Sequence, residues 1–118
     1  MAYLLFHVRT APHGRSSGEE ALEAVLAASV FEPPLTVLFE GDGVLQVVAD
    51  QEPSALGSRD TGANWTALPA YDVTDVRVHG PSLVERGLSV GDLAPPVVAI
   101  NDADMAALIA TVDRVLSF

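Results

Sequence analysis

The sequence predicts one α/β domain, a three-layer α/β/α sandwich around a five-stranded, mostly parallel sheet. Three observations indicate this fold. Short apolar runs of strand length alternate with segments of helical periodicity, as in a parallel sheet with crossover helices. The runs are nearly continuous in hydrophobicity, which is typical of strands covered on both faces. The length of 118 residues suits a single domain.

The first strand and the first helix carry the clearest local signals. Tyr3–Val8 is a near-continuous apolar run and is predicted as the first strand. The helix is predicted to begin at Ser17, because Glu20 follows at capping-box spacing, and Ser16 offers a second register. It is expected to run to about Phe31 and to end before the two prolines that follow.

The rest of the chain continues the alternation of strands and helices. Residues 51–62 are polar and bear glycine, proline and serine, so they are predicted as a loop with at most one helical turn. The remaining elements are predicted as strands over Leu35–Phe39, Val73–His79, Val97–Ile100 and Arg114–Phe118, a short helix within Val44–Val48, a helix over Asn64–Ala70 with Trp65 and Leu68 on one side, a helix from Pro81 to Gly87, and a helix from Asn101 or Asp102 to about Val112.

The charge balance argues against several classes of partner. The formal net charge is -10, and all six basic residues are arginine. A nucleic-acid backbone or an anionic membrane surface is bound by clustered positive charge. We therefore expect no direct nucleic-acid binding and no membrane association. The apolar run at residues 3–6 is too short for a signal peptide or a membrane span, so a cytoplasmic location is expected.

Low charge and high hydropathy point to covered apolar surface. Charged residues make up 19% of the chain, against roughly 25% in ordinary soluble domains. A composition rich in alanine and valine is one explanation, and burial against partner subunits is the other. The first helix favours the second explanation, because it is apolar on two flanks and only one can pack on the sheet. The other flank, the predicted interface, consists of Ala24, Ala27, Ala28 and Phe31.

The loop after the first strand is a candidate binding or interface site. In parallel α/β folds, functional groups lie at the carboxyl ends of the strands, near a topological switch point. The residues singled out in this loop are Thr10, Pro12, His13 and Gly14. The imidazole of His13 could orient or protonate a bound group, or it could only satisfy backbone groups in the turn.

The loop after the second strand is predicted to lie beside the first loop, at the same edge of the sheet. It contains Asp42 and Gly43. The carboxylate of Asp42 could act as an acid or base, or it could be an N-cap or turn residue.

Other chemistry is poorly supported by the sequence. There is no cysteine, so the chain alone supports no thiol, persulfide or thiolate–metal chemistry. A metal site from His7, His13, His79 and Asp42 would need separate segments to converge, and no local ligand spacing supports it. No G-x-S-x-G elbow, dinucleotide-binding motif or P-loop is present. No catalytic residue, cofactor or metal is therefore predicted.

Three segments together resemble the DsrE/DsrF-like family. They read FHVRTAPHG at 6–14, DGVLQ at 42–46 and LVERGL at 83–88. The resemblance runs from Tyr3 to Phe118 and is closest to the DsrF-like subunit of a bacterial sulfur relay. It implies a five-stranded parallel sheet in the order 4-3-2-1-5. In relatives that carry sulfur, the acceptor cysteine follows the third strand, where residues 78–82 of this chain read VHGPS. The resemblance therefore implies a non-catalytic subunit.

The same resemblance implies a set of partners. Relatives assemble with two homologous subunits, TusB-like and TusD-like, into a heterohexamer with two copies of each chain. A TusA-like donor and a TusE-like acceptor work through this complex, which passes persulfide sulfur for 2-thiolation of the tRNA wobble uridine. Two alternatives remain open. One is a DsrEFH-like subunit in dissimilatory sulfur oxidation, and the other is a stand-alone enzyme or ligand-binding module at a crevice between His13 and Asp42.

Overall fold

Five parallel strands form one sheet in the order β4-β3-β2-β1-β5, which confirms the predicted fold class and strand order. The computed structural model describes residues 2–11, 17–49 and 64–118. The strands are β1 (Leu4–Val8), β2 (Leu35–Phe39), β3 (Val76–His79), β4 (Val98–Ile100) and β5 (Arg114–Ser117), and the α-helices are α1 (Ser17–Ser29), α2 (Gly80–Glu85) and α3 (Asp102–Thr111).

The two faces of the sheet support two cores of different size. On one face α1, α2 and two 3₁₀ helices pack over the sheet, and the larger core includes Phe6, Phe39 and Trp65. On the other face α3 packs over a smaller core that contains Leu5 and Leu38. Consecutive strand residues point to opposite faces, so the continuous apolar runs of β1 and β2 supply both cores.

Two of the predicted helices are 3₁₀ helices in the structure. They span Gly41–Val47 and Trp65–Tyr71, where valines and a proline disfavour α-helix. Trp65 and Leu68 lie on one side, as predicted, and both are buried in the larger core. A third, over Val90–Asp92, has a capping box that the prediction missed.

Several predicted boundaries were wrong. The helix predicted from Pro81 to Gly87 spans Gly80–Glu85, and the short helix predicted within Val44–Val48 begins at Gly41. Helix α1 ends at Ser29 rather than near Phe31, because Glu32 adopts a left-handed φ of 55° and its amide donates back to the Ser29 carbonyl. Strand β3 begins at Val76 rather than Val73, since Val73 is still part of the connection from the preceding 3₁₀ helix. The predicted loop at residues 51–62 lies outside the described residues.

Candidate functional site

The carboxyl ends of the strands bring together the polar side chains of the described chain that have the most extensive hydrogen bonding. Because all the strands are parallel, the segments that follow them meet at one edge of the sheet. We call this the carboxyl edge and define it as Arg9–Ala11 after β1, Glu40–Gly43 after β2, His79–Ser82 at the end of β3, and Asn101–Asp102 after β4.

Two close backbone approaches set the shape of the carboxyl edge. A Cβ atom on Gly43 would lie 2.0 Å from the carbonyl oxygen of Val8, so only glycine fits there. The side-chain amide of Gln46 makes two hydrogen bonds. Its Nε2 donates to the Thr10 carbonyl at 3.0 Å, and its Oε1 accepts from the Trp65 indole at 3.3 Å. The loop after β1 is thereby fastened to the 3₁₀ helix that follows β2.

A continuous chain of hydrogen bonds crosses the carboxyl edge. The backbone amide of Gly41 donates to the Ser82 hydroxyl at 2.8 Å. That hydroxyl lies 2.6 Å from His79 Nδ1, and His79 Nε2 lies 2.6 Å from the Asp102 carboxylate. A proton on Nε2 satisfies every member, since Nε2–H donates to the carboxylate and Nδ1 accepts from the hydroxyl.

The chain has the residue types of a Ser-His-Asp triad but not the exposure of one. Ser82 is 4% exposed, whereas the Asp102 side chain is 78% exposed. The hydroxyl oxygen is already held by the Gly41 amide. A nucleophile must be accessible to its substrate, and the Ser82 hydroxyl is buried against protein atoms. The hydrogen bonds therefore hold together the segments that follow β2, β3 and β4.

A second histidine–carboxylate pair lies on the same edge. His7 Nε2 is 2.6 Å from the Glu40 carboxylate, and the Arg9 guanidinium is 3.9 Å from the same carboxylate. His7 is buried, so its contact with Glu40 provides a partner for a polar ring that burial would otherwise leave unsatisfied. The pair joins the ends of β1 and β2.

The structure brings some of the predicted loop residues together. Thr10, Asp42 and Gly43 all lie at the carboxyl edge. The Asp42 carboxylate accepts from the Arg86 guanidinium at 2.9 Å, and Arg86 also donates to the Ser82 carbonyl. Asp42 is thus ion-paired with a residue distant in sequence, which is neither the N-cap nor the turn contact that the sequence predicts, and the N-cap of the 3₁₀ helix Gly41–Val47 is Glu40. Pro12, His13 and Gly14 lie outside the described residues.

The predicted interface flank of α1 is divided in the structure. Ala24 and Ala28 are half-buried and pack against the larger core. Ala27 is exposed, and Phe31, in the turn after the helix, is 74% exposed. The surface that a partner could contact on this flank is therefore carried by Ala27 and Phe31.

The described residues form neither a cluster of metal ligands nor a membrane-spanning helix. In residues 2–11, 17–49 and 64–118, no three histidine or acidic side chains are grouped as metal ligands. Within these ranges every helix is too short or too polar to span a bilayer.

Away from the carboxyl edge, the Asp75 carboxylate accepts two hydrogen bonds from the Arg77 guanidinium. These hydrogen bonds raise the pKa of Arg77 above its ordinary value.

Sequence reasoning missed the partners of three side chains at this edge. His79 was considered only as a metal ligand, whereas its two nitrogens contact Ser82 and Asp102. The spacing of His79 and Ser82 is a usable signal, because a strand end followed by a helical turn brings such residues together. The contact with Asp102 depends on the register of β3 against β4 and on side-chain reach, which the expected strand order does not specify.

Comparisons with known proteins agree on one family. The model of the DsrE/DsrF-like family matches residues 2–118. Protein TusC from Escherichia coli is 39% identical over 121 residues, and the Protein TusC homolog of Vibrio parahaemolyticus is 36% identical over 118 residues. Both alignments cover all of this chain and all of the relative.

A solved structure shares the fold. The crystal structure of the ychN protein from Escherichia coli superposes with a TM-score of 0.81, covering all of both chains. The sequence identity of that pair is 22%, so the likeness speaks for the fold alone.

Proposed function

The chain belongs to the DsrE/DsrF-like family, and from this premise we propose that it is a TusC-type subunit of a sulfur-relay complex. The observation that carries the proposal is the likeness to TusC proteins, at 36–39% identity over alignments that cover all of both chains. We propose that the complex passes persulfide sulfur for 2-thiolation of the tRNA wobble uridine.

We propose a non-catalytic role for this subunit. A persulfide is carried on a thiol, and the chain contains no cysteine. The carboxyl edge is held by hydrogen bonds between its own residues and by ion pairs of Glu40 and Asp42 with the adjacent side chains of His7 and Arg86. Such an edge supports a neighbouring subunit by its shape and rigidity. The sulfur then resides on partner cysteines throughout the relay.

The proposed partners are homologous TusB-like and TusD-like subunits in a cytoplasmic heterohexamer with two copies of each chain. A TusA-like donor delivers sulfur to the complex, and a TusE-like acceptor removes it. The exposed part of the α1 flank, Ala27 and Phe31, is one proposed contact with a partner. The loop that contains Thr10, Pro12, His13 and Gly14 is the other.

The proposal is tested in the native host by replacing the chromosomal copy with a tagged copy. The tagged chain should recover TusB-like and TusD-like subunits by affinity purification, with the three chains in equal amounts. Deletion should remove 2-thiouridine from tRNA hydrolysates, and plasmid expression should restore it. If the tagged chain recovers the complex but the deletion strain keeps its normal 2-thiouridine, the tRNA role is contradicted and dissimilatory sulfur metabolism is favoured. A chain recovered alone would favour the stand-alone module.

A further inference from the structure

Strand β5 forms one margin of the sheet. Among residues 2–11, 17–49 and 64–118 it pairs only with β1, since the strand order ends at β5. We call the side of β5 away from β1 its open side. All four of its residues are exposed, although most strands of this sheet are buried. The exposed side chains include Val115 at 44% and Leu116 at 37%.

The backbone of β5 directs alternate residues towards the open side. The amide of Arg114 donates to Tyr3, the amide of Phe118 donates to His7, and the carbonyl of Phe118 accepts from Arg9. Backbone groups alternate along a strand, so the residues between these, Val115 and Ser117, direct their amides and carbonyls away from β1.

The open side of β5 lacks the features that usually protect a sheet margin. Edge strands are commonly guarded by proline, lysine, a bulge or an inward-facing charge. The sequence RVLS of β5 contains neither proline nor lysine, and its single charged residue, Arg114, is its first residue. Within the described part of the chain no strand pairs with the outward backbone groups of β5, and its apolar side chains lie on both faces, an arrangement that favours pairing with another strand.

We propose that the open side of β5 pairs with β5 of a second copy of this chain, antiparallel and centred on Leu116. In this register Val115 faces Ser117 of the second copy, and Ser117 faces its Val115. These are the two residues whose backbone groups point outward, so both pairs form two hydrogen bonds each. Leu116 faces its own counterpart as a pair without hydrogen bonds.

The side chains fit this register on both faces of the joined sheets. Val115 is paired with Leu5 and Leu116 with Phe6, so the two side chains lie on opposite faces. The register therefore places Leu116 of both copies together on the face of the larger core, and places Val115 beside Ser117 on the other face.

The one charged side chain of β5, Arg114, also fits this register. Arg114 would face Phe118, whose ring stacks on Phe6 at 6.4 Å, so the cation would meet an aromatic face. The two copies of Arg114 would be about 13 Å apart along the strands, because four residues separate them. The only charged side chain of β5 thus avoids its own counterpart and gains a partner.

Single cysteines test the register, since the native chain has none. In an oxidising buffer Leu116→Cys should form a disulfide-linked dimer, because Cα atoms of such a facing pair lie about 4.5 Å apart. Val115→Cys and Ser117→Cys are the matched controls, with their counterparts diagonal and about 7–8 Å apart. We expect cross-linking of Leu116→Cys to be at least about fivefold faster than of either control, given the distance limit for a disulfide. Equal rates at the three positions would overturn the register.

Charged substitutions test whether Leu116 of one copy faces Leu116 of the other. The unmodified chain should sediment at twice its 12.4 kDa mass. Leu116→Glu and Leu116→Lys should each sediment at monomer mass, because like charges would face each other, and an equimolar mixture should recover the dimer. A monomeric unmodified chain, or a mixture that stays monomeric, would overturn the proposal. These measurements use the isolated chain, so they are independent of whether sulfur-relay partners bind.

Discussion

The hydroxyl of Ser82 accepts a hydrogen bond from the backbone amide of Gly41 at 2.8 Å and so joins the segments that follow two neighbouring strands. His79 and Asp102 extend this contact to the segment after β4. Three of the four segments that define the carboxyl edge are therefore held by one chain of hydrogen bonds. This rigidity suits a subunit that presents a fixed surface to its neighbours.

Ser82→Ala should destabilise the fold by about 1–3 kcal/mol, because the Gly41 amide and His79 Nδ1 both lose their partner. Urea denaturation followed by circular dichroism measures the change. Ser29→Ala is the matched control, since the Ser29 hydroxyl donates only to a carbonyl of its own helix. Equal stability of the two variants would contradict the bridging role of Ser82.

Gly43→Ala should cost about 2 kcal/mol or more, because the added Cβ would lie 2.0 Å from the Val8 carbonyl and the backbone must shift. Gly91→Ala serves as control, since its nearest neighbour would be 3.9 Å from the new Cβ. The free energy of unfolding from urea titration compares the two. A Gly43→Ala variant as stable as the control would show that the loop adapts without cost.

Strands β1 and β2 could be predicted because each is an apolar run of strand length. Leu35–Phe39 is the best case, since prolines precede it and a glycine-containing turn follows, and its bounds are confirmed. The end of α1 was misjudged because apolar periodicity continues through Phe31, while the backbone reverses at Glu32. Periodicity reports which face a residue would occupy, and it does not report where the backbone leaves the helix.

The carboxyl edge was only partly predictable for a related reason. Topology places Thr10 and Asp42 at the edge, and that topology is predicted by the alternation of strands and helices together with the family resemblance. The contacts of Asp42 with Arg86 and of His79 with Asp102 depend on the register of neighbouring strands and on side-chain reach. The division of the α1 flank also needed the packing, since Ala24 and Ala27 are identical residues with different surroundings.

The isolated chain should gain no sulfur from a persulfidated donor protein, because it offers no thiol to receive it. Intact-mass spectrometry after incubation and removal of the donor measures the gain. An Ala27→Cys variant is the positive control, since Ala27 is exposed in the isolated chain and the substitution supplies one thiol. A stable gain of one sulfur atom on the unmodified chain would contradict the non-catalytic role.

Ala27→Glu should leave the fold intact and weaken assembly with the TusB-like and TusD-like subunits. The side chain is exposed in the isolated chain, so a carboxylate there is solvated until a partner covers it. An unpaired charge buried at an interface costs about 3–5 kcal/mol, which corresponds to at least about a 100-fold loss of affinity. Gel filtration of the co-expressed subunits measures assembly, and thermal unfolding of the isolated variant checks the fold.

Ala24→Glu separates the interface from the core on the same helix. Ala24 packs against the larger core, so a carboxylate at this position must be desolvated within the chain itself. We expect this variant to unfold at a lower temperature when isolated, whereas Ala27→Glu keeps the melting temperature of the unmodified chain. Normal assembly of Ala27→Glu would move the proposed contact away from α1, and the loop at residues 10–14 would then be the first surface to test. Loss of both folding and assembly in Ala27→Glu would instead show that this position supports the domain rather than a partner.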